Sequence, residues 1–166
     1  MIDVNIFDML SCDFNKDLQN VFLSKVENGY FISKSYTKDV MAVCVSYDAK
    51  IGIDIEKKRE RSAQTIAHFI SKFKTFNIRD IPESPDLNWF YLAWTAMESY
   101  FKLEGMGFST KRDFIMDLEN KTIIKNGSEI AWFEYLDIDG LVICICSDRK
   151  FSINEVVLNY HGWEER

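Results

Sequence analysis

One hundred and sixty-six residues, 47% of them hydrophobic, fit one domain of ordinary size with enough apolar side chains for a real core, and exclude a disordered chain. Twenty Lys and Arg against 26 Asp and Glu leave a net charge of −6, which argues against a nucleic-acid binder driven by its overall field. Two prolines and seven glycines argue against collagen-like repeats and long low-complexity linkers, so residues 1–166 read as a single domain without internal repeats.

Met1-Ile2-Asp3-Val4-Asn5 has no basic region followed by an apolar one, and the charge-poor stretch from Leu87 to Leu103 is interrupted by Asn88, Glu98 and Lys102. A cytoplasmic protein outside the membrane is expected. Ile2 to Phe7 alternates like a strand, whereas Leu18 to Lys25 is ambiguous between helix and strand. Val40 to Val45 is a continuous β-prone run, and the polar stretch Ser46 to Lys50 leads into Ile51 to Glu56 with strict period two, which reads as a hairpin. Ser62 can cap a helix in which Ile66, Phe69, Ile70 and Phe73 recur at helical spacing up to about Phe76. Ser84-Pro85-Asp86 offers a cap, a first-turn proline and an early acid, and Gly105 a stop, so a second helix is expected from about Pro85 to Glu104. Phe114 to Leu118, Lys121 to Lys125, Glu129 to Leu136 and Leu141 to Cys146 read as four strands separated by turn signals. The fold class is therefore α+β, a mostly antiparallel sheet packed by two main helices. Cys12, Cys44, Cys144 and Cys146 lie in or beside apolar runs without metal-binding spacing and are expected as reduced core residues.

On the strand Ile51 to Glu56 the isoleucines take one face, and Gly52, Asp54 and Glu56 the other, so two carboxylates stand side by side. Such a pair repels, and water or a shared cation relieves it. On the second helix, Trp89, Leu92, Ala93, Ala96, Tyr100 and Leu103 form the expected core stripe. The other side gathers Tyr91, Trp94, Thr95, Glu98, Phe101 and Lys102, so one acid and one base rise from aromatic surroundings, which suggests a lined cleft. Lys57, Lys58, Arg59 and Arg61 follow the strand directly and offer a phosphate-holding patch, or else a charged loop facing water. Together, Asp54, Glu56 and Glu98 with these cations describe a hard oxygen-ligand Mg²⁺ site that would hold a diphosphate, in a chain without a P-loop motif. His68 and His161 have no nucleophile motif beside them.

Ile51-Gly52-Ile53-Asp54-Ile55-Glu56, followed at a distance by Trp94-Thr95-Ala96-Met97-Glu98-Ser99-Tyr100-Phe101-Lys102 and Glu104-Gly105-Met106-Gly107, resembles the two-part signature of the 4′-phosphopantetheinyl transferases. The signature reads G-[IV]-D, then W-[ST]-x-K-E-[AS]-x-x-K. The resemblance is closest to the group that primes nonribosomal peptide and polyketide synthases and covers roughly residues 30–150. It implies that family's fold and transfer of the phosphopantetheine arm of coenzyme A to a serine of an apo carrier protein. By position it implies Asp54, Glu56 and Glu98 as Mg²⁺ ligands, Glu98 or a metal-held water as the proton acceptor, and Lys102 as the group that neutralises the departing diphosphate. Ser33-Lys34-Ser35 resembles the family's S-H-S, which puts Lys34 on the 3′-phosphate of coenzyme A, with Lys57 and Lys58 as further coenzyme contacts. Met97 stands where the family has a lysine, and Met97→Lys is expected to raise activity if the position is simply vacant. Larger relatives have a longer first lobe before the S-H-S segment, which implies a homo-oligomer whose neighbour supplies the missing wall. The alternatives are a catalytically silent member that binds coenzyme A or a partner protein, and a Mg²⁺-dependent phosphohydrolase.

Overall fold

The computed structural model describes residues 1–10, 16, 18, 25, 28–74, 77–106 and 113–162. Two sheets face each other, and a helix lies on the outer side of the second. The first sheet has the order β2-β3-β1-β9, built from β1 (Ile2–Asp8), β2 (Phe31–Thr37), β3 (Val40–Ser46) and β9 (Val156–His161). The second has the order β4-β8-β7-β6-β5, from β4 (Ile51–Lys57), β5 (Ile115–Asp117), β6 (Thr122–Lys125), β7 (Ser128–Ile138) and β8 (Leu141–Ser147). All neighbours within these sheets are antiparallel except β1 and β9. Helix α1 spans Ala63–Lys74 and α2 spans Leu87–Glu104.

Alternation along β4 determines what faces what. Ile51, Ile53 and Ile55 pack between the sheets against Ile2, Val4 and Ile6 of β1 and Ile143 and Ile145 of β8. Gly52, Asp54 and Glu56 look the other way, toward α2, opposite Cys146, Cys144 and Val142 of β8. Gly52 permits a close approach: a Cβ there would lie 1.9 Å from the carbonyl oxygen of Ser99 and 2.6 Å from the amide nitrogen of Leu103. The helix backbone therefore rests directly on the strand that carries both acids.

Several expected elements appear, some with different partners. Ser62 caps α1 through Thr65 N–H at 3.2 Å, but the described part of the helix ends at Lys74, and Phe76 lies outside the described residues. Asp86, rather than Ser84, caps α2: its carboxylate accepts from Trp89 N–H at 2.7 Å, which leaves Pro85 outside the helix. Gly105 ends α2 at φ +65°, a left-handed conformation suited to glycine. The hairpin expected from Val40 to Glu56 does not form. β3 lies centrally between β1 and β2, and the polar link steps across to the facing sheet, where Lys50 N–H donates to Asp148 Oδ1 at 2.9 Å and Asp148 N–H to Lys50 O at 3.2 Å. That anchor delivers β4 to β8 instead. The four later strands form, and β9 adds one that the sequence reading lacked.

Of the ambiguous segment Leu18 to Lys25, only Leu18 and Lys25 are described, both helical. Cys12 and Gly107 lie outside the described residues. Cys44, Cys144 and Cys146 are free and buried, and burial pushes all three thiols up, so they stay protonated. Among the described residues no helix is long and apolar enough to cross a membrane.

Candidate active site

The site forms where β2 and α2 meet β4. Ser33 and Ser35 pair in register with Cys44 and Ala42, whose side chains lie in the inter-sheet core, so both hydroxyls point toward β4. Ser33 Oγ accepts from Ile53 N–H at 3.0 Å, satisfying an amide on the edge of β4 that β8 does not cover. Ser35 donates to Asp54 Oδ1 at 2.9 Å. From α2, Lys102 Nζ reaches the same Asp54 oxygen at 2.7 Å and Ser35 Oγ at 2.8 Å. Asp54 is 5% exposed, and its second oxygen, Oδ2, is buried without a hydrogen-bond partner among the described residues. Glu98 Oε1 is in the same condition.

The three acids share one electrostatic environment. Burial raises the carboxyl of Asp54 above its ordinary range, opposed by Lys102 and by hydrogen bonds from Lys102 and Ser35. Burial and then the charge of Asp54 raise Glu56, against a hydrogen bond from the Trp94 side chain and the charges of Arg61 and Arg59. Burial, Asp54 and Glu56 raise Glu98, with Lys102 opposing. Glu56 and Glu98 therefore both feel Asp54, and Glu98 feels Glu56 as well, as the period-two strand and the helical spacing imply. Among the described residues no three His, Cys, Asp or Glu side chains form a ready-made metal cage, and Lys102 holds one oxygen of Asp54. The donor chemistry nevertheless fits a hard divalent cation: oxygen ligands only, mutual repulsion, and two buried carboxylate oxygens without partners.

The cations the sequence nominated separate. Lys34 is exposed and shares the outer face of β2 with its partner Val43, away from Asp54. Lys57, at the end of β4, follows the isoleucine face and is exposed. Lys58 is drawn to Asp137 of β7, with its Nζ 2.5 Å from Oδ2. Arg59 and Arg61 are the members of the cluster that act on Glu56, and Tyr91 of α2 holds their loop. Its hydroxyl accepts from Arg59 N–H at 3.0 Å and Arg61 Nε–H at 3.3 Å, and donates to Arg59 O at 3.2 Å. Tyr91, assigned to the cleft by helical angle, is instead buried at 1% exposure. Met97 is fully buried in the apolar cluster under α2 with Phe114 and Met116, so the position is filled and not vacant.

Sequence reasoning missed what Ser35, Gly52 and Tyr91 do: Ser35 bonds Asp54, Gly52 lets the helix approach, and Tyr91 holds the loop of Arg59 and Arg61. The two serines flank Lys34 at period two, a pattern that puts both hydroxyls on one strand face and was available for Ser35. The roles of Gly52 and Tyr91 depend on which segments pack together, and no local pattern signals that.

A model of the 4′-phosphopantetheinyl transferase superfamily matches residues 50–147. Among characterised proteins, the chain is similar to the 4′-phosphopantetheinyl transferase Sfp of Bacillus subtilis (strain 168), at 32% identity over 71 residues. That stretch is 43% of this chain and 32% of the relative, so the match spans about a third of the relative's length. The family match takes in more than half of the chain and contains β4, α2 and all four side chains that converge on the cleft, Asp54, Glu56, Glu98 and Lys102. The chain belongs to the 4′-phosphopantetheinyl transferase superfamily.

Proposed function

We propose that the cleft transfers the 4′-phosphopantetheine arm of coenzyme A to a serine hydroxyl of an apo acyl or peptidyl carrier protein, with release of 3′,5′-ADP. The observation that carries this reading is the meeting of Asp54, Glu98 and Lys102 around two buried carboxylate oxygens that have no partner among the described residues. Asp54, Glu56 and Glu98 would hold Mg²⁺, which when bound would clamp the diphosphate and offset charge developing on its oxygens. Glu98, or a water held beside it, would take the proton of the attacking serine. As the serine oxygen bonds to phosphorus, the bond from phosphorus to the oxygen of the leaving nucleotide breaks, and Lys102 neutralises that oxygen. Arg59 and Arg61, held by Tyr91, add positive charge beside Glu56. Lys34, Lys57 and Lys58 would meet the coenzyme only at the rim, and Lys58 would first have to leave Asp137.

A bound diphosphate needs donors on both sides, so this reading also proposes a homo-oligomer, with a second copy of the chain across the mouth of the cleft. A cytoplasmic setting goes with it, since three free buried thiols suit a reducing compartment. A second reading, a silent member that binds coenzyme A or a partner without transfer, draws on Met97, whose burial leaves no cation at the position of the family lysine. One assay decides: Mg²⁺, coenzyme A and a panel of apo carrier proteins are mixed with the chain, and the carriers are weighed by mass spectrometry. A gain of one phosphopantetheine supports the transferase. Coenzyme A binding without that gain supports the silent reading, and phosphate release without a carrier supports hydrolysis.

A further inference from the structure

Three elements converge on one oxygen. Asp54 Oδ1 receives Lys102 Nζ at 2.7 Å and Ser35 Oγ at 2.9 Å, and the ammonium and the hydroxyl are themselves 2.8 Å apart. Strand β4, strand β2 and helix α2 thus close a triangle of hydrogen bonds around a nearly buried carboxylate. Lys102 is 31% exposed, so its head group sits at the boundary between the buried acid and open solvent. A charge buried as deeply as Asp54 is costly unless paired, and among the described residues Lys102 supplies the pairing. Behind that pair, Asp54 Oδ2 and Glu98 Oε1 are buried without hydrogen-bond partners.

An ammonium and a divalent cation at contact distance from the same carboxylate repel each other strongly in such an environment. We propose that Lys102 is the resident counterion of the cleft: its ammonium, tethered by Asp54 Oδ1 and Ser35, balances the charge that a divalent cation on the same carboxylate would balance, and is given up when that cation arrives. The proposal rests on the reading of Asp54, Glu56 and Glu98 as holders of a divalent cation and adds an order of events to it. Before the cation binds, Lys102 keeps Asp54 paired. Afterwards the flexible four-carbon stem carries the ammonium toward the solvent side of the cleft, within reach of an anionic oxygen. Ser35 is then a positioning residue, which fixes Asp54 in both states and returns Lys102 to it.

The test uses the full chain and Mn²⁺ alone, without coenzyme A or a carrier, and reads affinity by calorimetry. Lys102→Met should bind Mn²⁺ roughly tenfold or more tightly than the unmodified chain. Ser35→Ala should bind it more tightly by a smaller factor, and Asp54→Asn should lose binding. Lys121→Gln removes an equal charge from an ammonium that sits on Glu134, and controls for the field of the molecule as a whole. Equal affinity in Lys102→Met and the unmodified chain, or a gain matched by Lys121→Gln, overturns the proposal and leaves the cation reading standing. Absence of binding in every variant removes both. Should Lys102→Met fail to fold, ¹⁵N NMR of the unmodified chain decides. The Lys102 ammonium signal, protected from exchange in the cation-free chain, should lose that protection when Mg²⁺ is added, and a signal that stays protected overturns the proposal.

Discussion

Asp54 and Glu98 lie in one cleft and burial raises both carboxyls, but only Asp54 carries an ammonium and a hydroxyl on one of its oxygens. Repulsion among clustered acids predicts relief from either substitution, and the larger relief at Glu98. Burial comes first among the causes that raise its carboxyl, followed by Asp54, while Glu56 adds to them and Lys102 opposes. A carboxyl whose pKa is higher in the folded than in the unfolded chain binds its proton more tightly when folded. Its contribution to stability therefore declines as pH rises from the ordinary carboxylate range through the folded value. In the absence of metal, Glu98→Gln should melt at a higher temperature than the unmodified chain at about pH 7, and the difference should vanish as pH falls to about 4. Thermal denaturation in chelator across that range checks it. Transfer to a carrier should meanwhile fall by roughly 100-fold or more. At Asp54 the relief should be smaller, because the pairing with Lys102 and the hydrogen bond from Ser35 offset part of the cost of burial. The acids and the lysine were legible in the sequence because strand and helix periods put them on known faces. The bonds that distinguish Asp54 from Glu98 reach from Lys102 to Ser35, 67 positions away, and to Asp54, 48 positions away, and no local pattern carries such contacts.

Helix α2 and strand β4 act as a unit, and Gly52 sets their separation. A methyl at that position would collide with the Ser99 carbonyl and the Leu103 amide, both of them backbone atoms that cannot swing aside. Gly52→Ala should therefore cost about 1 to 3 kcal/mol in urea denaturation. It should also impair transfer although no charged residue has changed, because displacing α2 moves Glu98 and Lys102 away from Asp54. Met97, on the same helix, is fully buried under it. A lysine at 97 would place an ammonium among Phe114, Met116 and Phe133, so Met97→Lys should destabilise the chain by roughly 3 kcal/mol or more and lower activity, as read by urea denaturation and the carrier assay. The limits of α2 were largely readable, since Asp86 and Gly105 are strong punctuation. The partner of β4 was not. A polar link between two β-prone runs suits a hairpin and a step between facing sheets equally well, and the bonds between Lys50 and Asp148 decide the matter from 98 residues away.

Across the whole molecule, the two sheets differ in how far the chain must travel to build them. In the second sheet, β5 to β8 pair with near neighbours in sequence. The first sheet joins Ile2 to Val156 and Phe7 to His161, with the entire second sheet intervening. Long-separation pairing forms late and opens early, since its closure entropy is recovered only at the end. Native-state hydrogen exchange should show the amides of β9 exchanging through smaller openings than those of β8, whose seven residues are all buried. Equal protection of the two strands would contradict this. β9 escaped sequence reading for a related reason: Val156-Val157-Leu158-Asn159-Tyr160-His161 has no clean alternation, and none of its residues is fully buried, with Val157 and Tyr160 exposed. The parallel seam between β1 and β9 carries a consequence for the order of assembly: β1, β2 and β3 can pair with one another before β9 is added, so the face that presents the two serines takes shape on three strands and the fourth closes its free edge.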